Sequence, residues 1–474
     1  MSPWDSIGKI AVAKVANAVF SFIGLIWFSQ TLGVGNLGMY FLFLALVGVS
    51  ELFADMGING AVEKRISQGE PVPETVYAAL PLKLLLFTLV TATVLYLSPI
   101  INPYIGVEVA YLIPVTILLK NISDLLRRSL NGDMRVEETA YMIGVEQLGW
   151  VLFGTLFAQV GTESFALIHG YIAALVIVVT IGLVKVPLAP VKPDKKRAAS
   201  LFQYGKYDII SEAGWRVYNW TDVLIAGVFL SPALVGAYEI VWRLTGVTVL
   251  FGWAVRNSTF PIVSSLEADG RHEIIESVVQ RSMSLSLIFV IPALFGTLVL
   301  GEEILRIFFD IRSPIVEIVF IIIMVQKLFQ AIEQVTGYTL RGMNKPNLAA
   351  IATLVAVCTN IALNTMLIPR FGLVGAAVAT LLSYIALVSV ETQFLSKSIK
   401  ISVPTEQIGW YCLSAGIMAA LIFAAKQTYV SVERIQLLIL LTSAVLVYLL
   451  LVILHPDVRG EMHSILRGES FTEN

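Results

Sequence analysis

Charge is what this chain has least of. Asp, Glu, Lys and Arg together make up 14% of its 474 residues, against about 25% in a soluble globular chain, and 57% of the residues are hydrophobic. A soluble protein of this length and composition would leave much apolar surface in water, so a soluble enzyme is not expected. Cysteine is scarcer still. Cys358 and Cys412 both fall inside apolar runs, with no CxxC and no Cys/His cluster, which argues against a zinc site, haem attachment or a disulfide framework. His169, His272, His455 and His463 are scattered. The net charge of −2 recommends no nucleic-acid partner. No Walker A segment occurs, so no ATP-driven pump is encoded on this chain. Period-2 alternation is also missing, and the apolar runs are about twice too long for barrel strands. The first apolar run is too long for a signal peptide and lacks a small-residue cleavage site, so it reads as a retained span.

What the chain has instead is one run after another of about 20 apolar residues, enough to cross about 30 Å of hydrocarbon as a helix. Fourteen candidate spans run roughly over 10–31, 36–60, 76–99, 107–126, 138–160, 164–184, 207–230, 233–254, 282–300, 314–338, 347–368, 373–394, 405–425 and 436–455. The expectation is an all-α polytopic membrane protein with about fourteen transmembrane helices. Most connections are too short for extramembrane domains. The longest, about 185–206, holds three prolines and six Lys/Arg and divides six spans from eight. A second polar connection, 261–276, reads as a short surface helix.

Basic residues of short loops collect on the cytoplasmic side. With a cytoplasmic N-terminus, 22 of the 32 Lys and Arg flank spans on that side and only 5 on the other. Both termini and the 185–206 segment are therefore expected in the cytoplasm, in the cell membrane.

The chain also repeats itself. LGVGNLGMY (32–40) after the first span resembles LSPALVGAYE (230–239) after the seventh, with Gly38 and Tyr40 matching Gly236 and Tyr238. SLNGDMR (129–135) after the fourth span resembles TLRGMNK (339–345) after the tenth, with Leu130, Gly132 and Arg135 matching Leu340, Gly342 and Lys345. Two six-span halves that start on the same side are parallel repeats, a design that places a substrate site at their interface near mid-membrane. The expected organisation is an N-terminal six-helix lobe (1–186), a basic cytoplasmic linker (187–206), a second six-helix lobe (207–396), two additional helices (397–456) and a cytoplasmic tail (457–474).

Some motifs mean less than they suggest. Gly33-Val34-Gly35-Asn36-Leu37-Gly38 satisfies GxGxxG, but it joins two spanning helices, where a dinucleotide site needs a preceding strand and a later acid. A tight turn with close helix packing is the better reading. The N-x-S/T matches at Asn121, Asn219 and Asn257 lie in spans or at a cytoplasmic edge and are not glycosylation sites.

The ionisable side chains inside spans are more informative. Each costs from about 2.5 to over 10 kcal/mol at the bilayer centre, so it faces a wet cavity or a partner. The bases are Lys83, Lys120, Arg216, Arg243 and Lys327. The acids are Glu51, Asp55, Asp124, Glu146, Glu212, Asp222, Glu239 and Glu333, with Asp208 at the start of span 7. Spans 6, 9, 11, 13 and 14 carry none, which suggests an inner set of helices around a cavity and an outer set facing lipid. Asp208, Glu212, Trp215, Asn219 and Asp222 step 4-3-4-3 along one face of span 7, beside Arg216. Lys120/Asp124 and Glu239/Arg243 are i,i+4 pairs. Lys83 reads as snorkelling toward the cytoplasm, and Asn360 and Asn364 as an interhelical hydrogen-bonding pair. Lys120, Arg216, Arg243 and Lys327 fall near mid-depth and are the candidate binders of an anionic head group. Glu51, Asp55, Glu212, Asp222 and Glu239 are the candidate coupling or gating acids. Any of these pairs could equally be an internal ion pair that only holds helices together.

The LGxxxxGxY turn after span 1, the Asp55-Met56-Gly57-Ile58 segment ending span 2, the echo at 230–238 and GLVGAAVAT (372–380) resemble the polysaccharide transporter family. These are Wzx-type lipid-linked oligosaccharide and O-antigen flippases, of the superfamily that also holds MATE exporters. The resemblance covers the whole chain. It implies two six-helix lobes around a central cavity, two extra C-terminal helices, alternating access, and cavity bases engaging an anionic head group. The expected substrate is a polyprenyl-(pyro)phosphate-linked oligosaccharide, handled within membrane lipid by a monomer that neighbours polysaccharide assembly enzymes. No cofactor is expected beyond H+ or Na+ as coupling ion, and no nucleophile–base constellation for bond-making chemistry is visible. The alternative is a MATE-like H+/Na+-coupled exporter of organic cations, which the excess of buried acids favours and four mid-depth bases oppose. A non-transporting scaffold that recruits glycan enzymes through 185–206 is the third reading.

Overall fold

The computed structural model describes residues 19–161, 165–429 and 432–456, without the side chains of 206–219. The start of the first expected span and the tail 457–474 lie outside the described residues. Among those described, every regular element is a helix. Hydrocarbon offers the backbone no water, so each segment has to satisfy its own N–H and C=O groups, and a helix does that internally.

The chain groups into two units, Met1–Glu239 and Ile240–Asn474. The sequence sets its boundary at the 187–206 linker, but the helix after that linker groups with the first unit. The first unit contains α1 (Val19–Thr31), α2 (Val34–Asp55), α3 (Ile58–Ser67), α4 (Val72–Tyr96), α5 (Ser98–Ile105), α6 (Leu112–Gly132), α7 (Val136–Gln159), α8 (Ala166–Lys185) and α9 (Lys195–Phe229). α10 (Pro232–Gly246) carries the chain across the boundary.

Span 2 is not one helix. Met56 and Gly57 take φ of 46° and 76°, so the chain breaks between α2 and α3. The Asp55 carboxylate closes the break by accepting the Asn59 backbone N–H at 3.3 Å. Gly57 is needed twice over: its φ is left-handed, and any side chain there would enter the backbone of Gly205 on α9. Below this contact Arg65 donates to Ser200 at 2.6 Å and Arg197 pairs with Glu70 at 3.1 Å, which anchors the end of the basic linker on the α3–α4 turn. α7 and α8 also approach closely, with Gly149 against Ala174 and Gly170 against the Gly154 backbone. Small residues of this kind let helix backbones meet in a membrane.

The repeated turns meet each other. A side chain on Gly38 would collide with the Pro232 carbonyl, and one on Gly236 would collide with the Val34 carbonyl. Two positions equivalent in sequence are thus in reciprocal backbone contact, the geometry of a local two-fold axis.

The second unit continues through the short turn Val247–Val249 into α11 (Leu250–Ala268), then α12 (His272–Leu287), α13 (Val290–Phe309), α14 (Pro314–Gly342), α15 (Pro346–Leu395), α16 (Thr405–Lys426) and α17 (Arg434–Ile453). α15 is two helices back to back, divided at Gly372, whose φ of 57° and ψ of −134° only glycine adopts readily. The expected surface helix at 261–276 is absent. α11 runs through Pro261 to Ala268, a turn follows at Asp269 and Gly270, and α12 starts at His272. Tyr448 donates to the Ile288 carbonyl at 2.6 Å and Tyr411 meets Ser284 at 3.0 Å, tying α17 and α16 to α12 and the joint after it.

Ten helical segments among the described residues are long and apolar enough to cross a membrane, some of them merging two of the expected spans. α6 has the length but carries Lys120, Asp124, Arg127 and Arg128, and the end of α9 is apolar over Trp220–Phe229. This is a multi-pass helical membrane protein.

Candidate substrate-binding site

The candidate bases and acids settle into two different environments. In the first unit they form a ladder of ion pairs. Lys83, 7% exposed, donates to Asp55 at 2.6 Å and also to the Asn121 side chain. It does not snorkel, because the break after Asp55 leaves a carboxylate aimed at it. One level away Lys120 meets Glu51 at 2.5 Å, with Glu51 only 1% exposed. Asp124, the expected i,i+4 partner, stays within electrostatic reach of Lys120, and Glu51 of α2 is a second acid on the same ammonium. Asp124 lies within reach of Glu51 as well, and 3.6 Å from Arg127, which also pairs with Glu146 on α7. Asp222 accepts a hydrogen bond from Tyr238 at 3.1 Å. The side chains of Asp208, Glu212 and Arg216 lie outside the described residues, so the face they share on span 7 stays an expectation.

In the second unit three cations, Lys327, Arg256 and Arg341, lie on aromatic rings, while Lys426 pairs with Glu303 at 2.5 Å. Lys327 is 1% exposed, with its Nζ 3.4 Å from the centre of the Trp242 ring and a hydrogen bond to Gln330 at 2.9 Å. A buried ammonium over a tryptophan face is attracted to the ring quadrupole, by about 2 kcal/mol where it is desolvated. Nothing in the sequence reading had singled out Trp242. Asn364 donates to Asn360 at 3.0 Å, where a bond between helices was expected. Here the bond runs along one helix.

Two further acids missed as a pair come together on α14 and α15. Glu391, 1% exposed, accepts a 2.5 Å bond from Thr336. A methyl group at Gly337 would sit 2.7 Å from Glu391 Oε1 and 3.2 Å from Glu333 Oε1, so the glycine leaves room for both carboxyls over the α14 backbone. The second unit also encloses an apolar cavity of about 270 Å³, lined by Thr245, Phe289, Met324, Met418 and Tyr448 among others.

Long helices that carry paired and ring-bound charges in their interior define a multi-pass membrane protein of the transporter kind. The likeness to solved structures concerns the same fold. It resembles lipid II flippase MurJ in an inward closed conformation, with a TM-score of 0.79, 14% identity, and 94% of this chain and 98% of that chain covered. An inward-facing multidrug resistance MATE family transporter of the MOP superfamily aligns with a TM-score of 0.63 and 12% identity over 80% of this chain and 95% of the other. The chain belongs to the polysaccharide biosynthesis protein family, whose profile matches residues 29–311. It is 38% identical to the probable low-salt glycan biosynthesis flippase Agl15 of Haloferax volcanii, over 95% of this chain and 96% of that protein. It is 29% identical to the probable flippase AglR of the same organism, over 86% of this chain and 87% of the relative.

Proposed function

We propose that this protein is a flippase that carries a polyprenyl-(pyro)phosphate-linked oligosaccharide across the cytoplasmic membrane by alternating access, for glycan assembly. The observation that carries the reading is the 38% identity to a protein named as a glycan biosynthesis flippase along 95% of the chain. The chemistry agrees with it. The substrate joins an apolar tail to a phosphorylated, sugar-bearing head, and neither charge nor sugar crosses hydrocarbon unaided. Lys120, Arg216, Arg243 and Lys327 are the groups we assign to the anionic head. Arginine can grip phosphate with two parallel hydrogen bonds, whereas lysine acts as a point charge. The apolar cavity of the second unit suits a stretch of isoprenoid tail. Glu51, Asp55, Glu212, Asp222 and Glu239 are assigned to coupling or gating, with H+ or Na+ as the ion and no other cofactor. The chain forms no bond and acts as a transporter, with both termini and the 185–206 segment in the cytoplasm, as the basic-residue bias supports.

The test is direct. Purified protein reconstituted in liposomes should move a fluorescent polyprenyl-diphosphate disaccharide to the opposite leaflet. Vesicles that leave the probe in its original leaflet, yet extrude a cationic dye against a proton or sodium gradient, would replace the flippase with the exporter.

A further inference from the structure

One face of α14 carries a polar stripe the length of the helix. Lys327, Gln330, Gln334, Tyr338 and Arg341 are spaced 3-4-4-3, the repeat that keeps side chains on one side of a helix. Lys327 anchors one end, on the Trp242 ring. At the other end Arg256 of α11 and Arg341 both lie over the single ring of Tyr338, at 4.3 and 4.8 Å from its centre, and Arg256 also approaches Trp253 at 5.7 Å. Gln334 lies between the two ends. Its side chain is 6% exposed, its Oε1 faces Gly252 on α11, and that oxygen has no partner among the described residues.

Two guanidiniums held on one ring repel each other, and among the described residues neither has a carboxylate within 4 Å. Glu333 is the acid that faces both, from farther away. The buried Nε of Arg256 has no acceptor among the described residues. Ordinary basic residues at a membrane edge reach out into water or pair with neighbours. These are instead aligned on a ring, with donors left open, which is how a pair of forks would be stored for a phosphate.

We propose that Arg256 and Arg341 form a phosphate-binding station, separate from Lys327, for the phosphate group of a lipid. Fourteen residues of α-helix separate Arg341 from Lys327, about 21 Å along α14, too far for one diphosphate to touch both. On α10 and α11 the same interval of fourteen residues separates Trp242 from Arg256. The same pair of spans therefore offers an anion two stops, joined by the glutamine stripe. The basic-residue bias assigns the arginine end to the cytoplasm, where a lipid-linked glycan is loaded. The identity of the ligand rests on the flippase reading, whereas the station itself does not.

The test is protection of individual arginines from phenylglyoxal, read by peptide mass spectrometry on the full chain in phosphatidylcholine nanodiscs. Farnesyl diphosphate should slow modification of Arg256 and Arg341 about tenfold, and farnesol should not. Protection by farnesyl diphosphate in neutral lipid supports a carrier-lipid source. Protection only when phosphatidylglycerol is added supports the station with a membrane phospholipid as its source, and protection by inorganic pyrophosphate alone supports it with a soluble one. In binding measurements R256Q and R341Q should each weaken the effective probe about tenfold, and R256K less. Unchanged modification of both arginines at saturating levels of every probe overturns the station. A protein that protects them but moves no lipid in liposomes overturns the flippase reading alone. A protein that flips its probe with both arginines unprotected overturns the station alone.

Discussion

Three cations in each unit are held in different ways. In the first, Lys83, Lys120 and Arg127 each touch a carboxylate, on Asp55, Glu51 and Glu146. In the second, Lys327, Arg256 and Arg341 lie on the rings of Trp242 and Tyr338. A buried ion pair is electrically finished: the desolvation of each member is offset by the other, and removing one strands its partner. A ring only leans on a cation. It holds the charge in place without neutralising it, and at Arg256 the Nε has no acceptor among the described residues. By this contrast Lys83, Lys120 and Arg127 brace the first unit, as Lys426 on Glu303 does in the second, while the ring-held cations keep their charge over Trp242 and Tyr338.

The contrast can be broken most severely at Lys83. Lys83→Met should leave Asp55 charged and unpaired and cost about 3–5 kcal/mol of stability, seen as an early thermal transition in detergent. Adding Asp55→Asn should recover much of the loss. An unchanged melting temperature for the single variant would mean that the pair braces nothing.

Lys327→Gln should do the reverse. Its melting temperature should stay near that of the parent while the flipping rate in liposomes falls about a hundredfold, the upper range for one lost charge-assisted contact. Lys327→Arg should retain flipping. If Lys327→Gln melts early and still flips, Lys327 braces the second unit too, and the contrast fails.

A smaller effect belongs to the ring. Trp242→Leu keeps the ammonium but removes its support, worth about 2 kcal/mol, so flipping should fall about thirtyfold. Normal rates would show that Gln330 alone positions Lys327. The smallest expected change is Gly337→Ala. Its methyl would push the Glu333 and Glu391 carboxyls off α14 and weaken the bond from Thr336, for about 1 kcal/mol of stability read by thermal unfolding.

How much of this could be read in advance depended on whether a property lies along one helix or between several. The helical class, the membrane and the sorting of charge by span all follow from composition and period. So did Glu51, Asp55 and Lys120 as interior charges, because an ionisable group in an apolar run is visible wherever its partner is. The partners were not visible. Lys83 looked free to snorkel because spacing along α4 says nothing about the break that aims Asp55 at it. Lys120 was matched to Asp124, four residues away, which does lie near it, but Glu51 of another helix was not foreseen. Trp242 looked like one more apolar residue until Lys327 was found on its face. The α14 stripe, by contrast, was legible by the same 3-and-4 stepping applied to span 7, and counting Gln and Tyr along with charges would have found it.

The meeting of Gly38 and Gly236 has a mechanical consequence. Where helices interlock through side chains, sliding or turning one against another means unseating each knob from its hole. At this point there are no knobs, only backbone against backbone, with the Pro232 and Val34 carbonyls facing the two glycines. Such a joint resists being pulled apart or shifted sideways but offers little friction to rotation, like a bearing. Each glycine answers to the same place in the repeated turn, so a bulky residue at either one would jam the bearing.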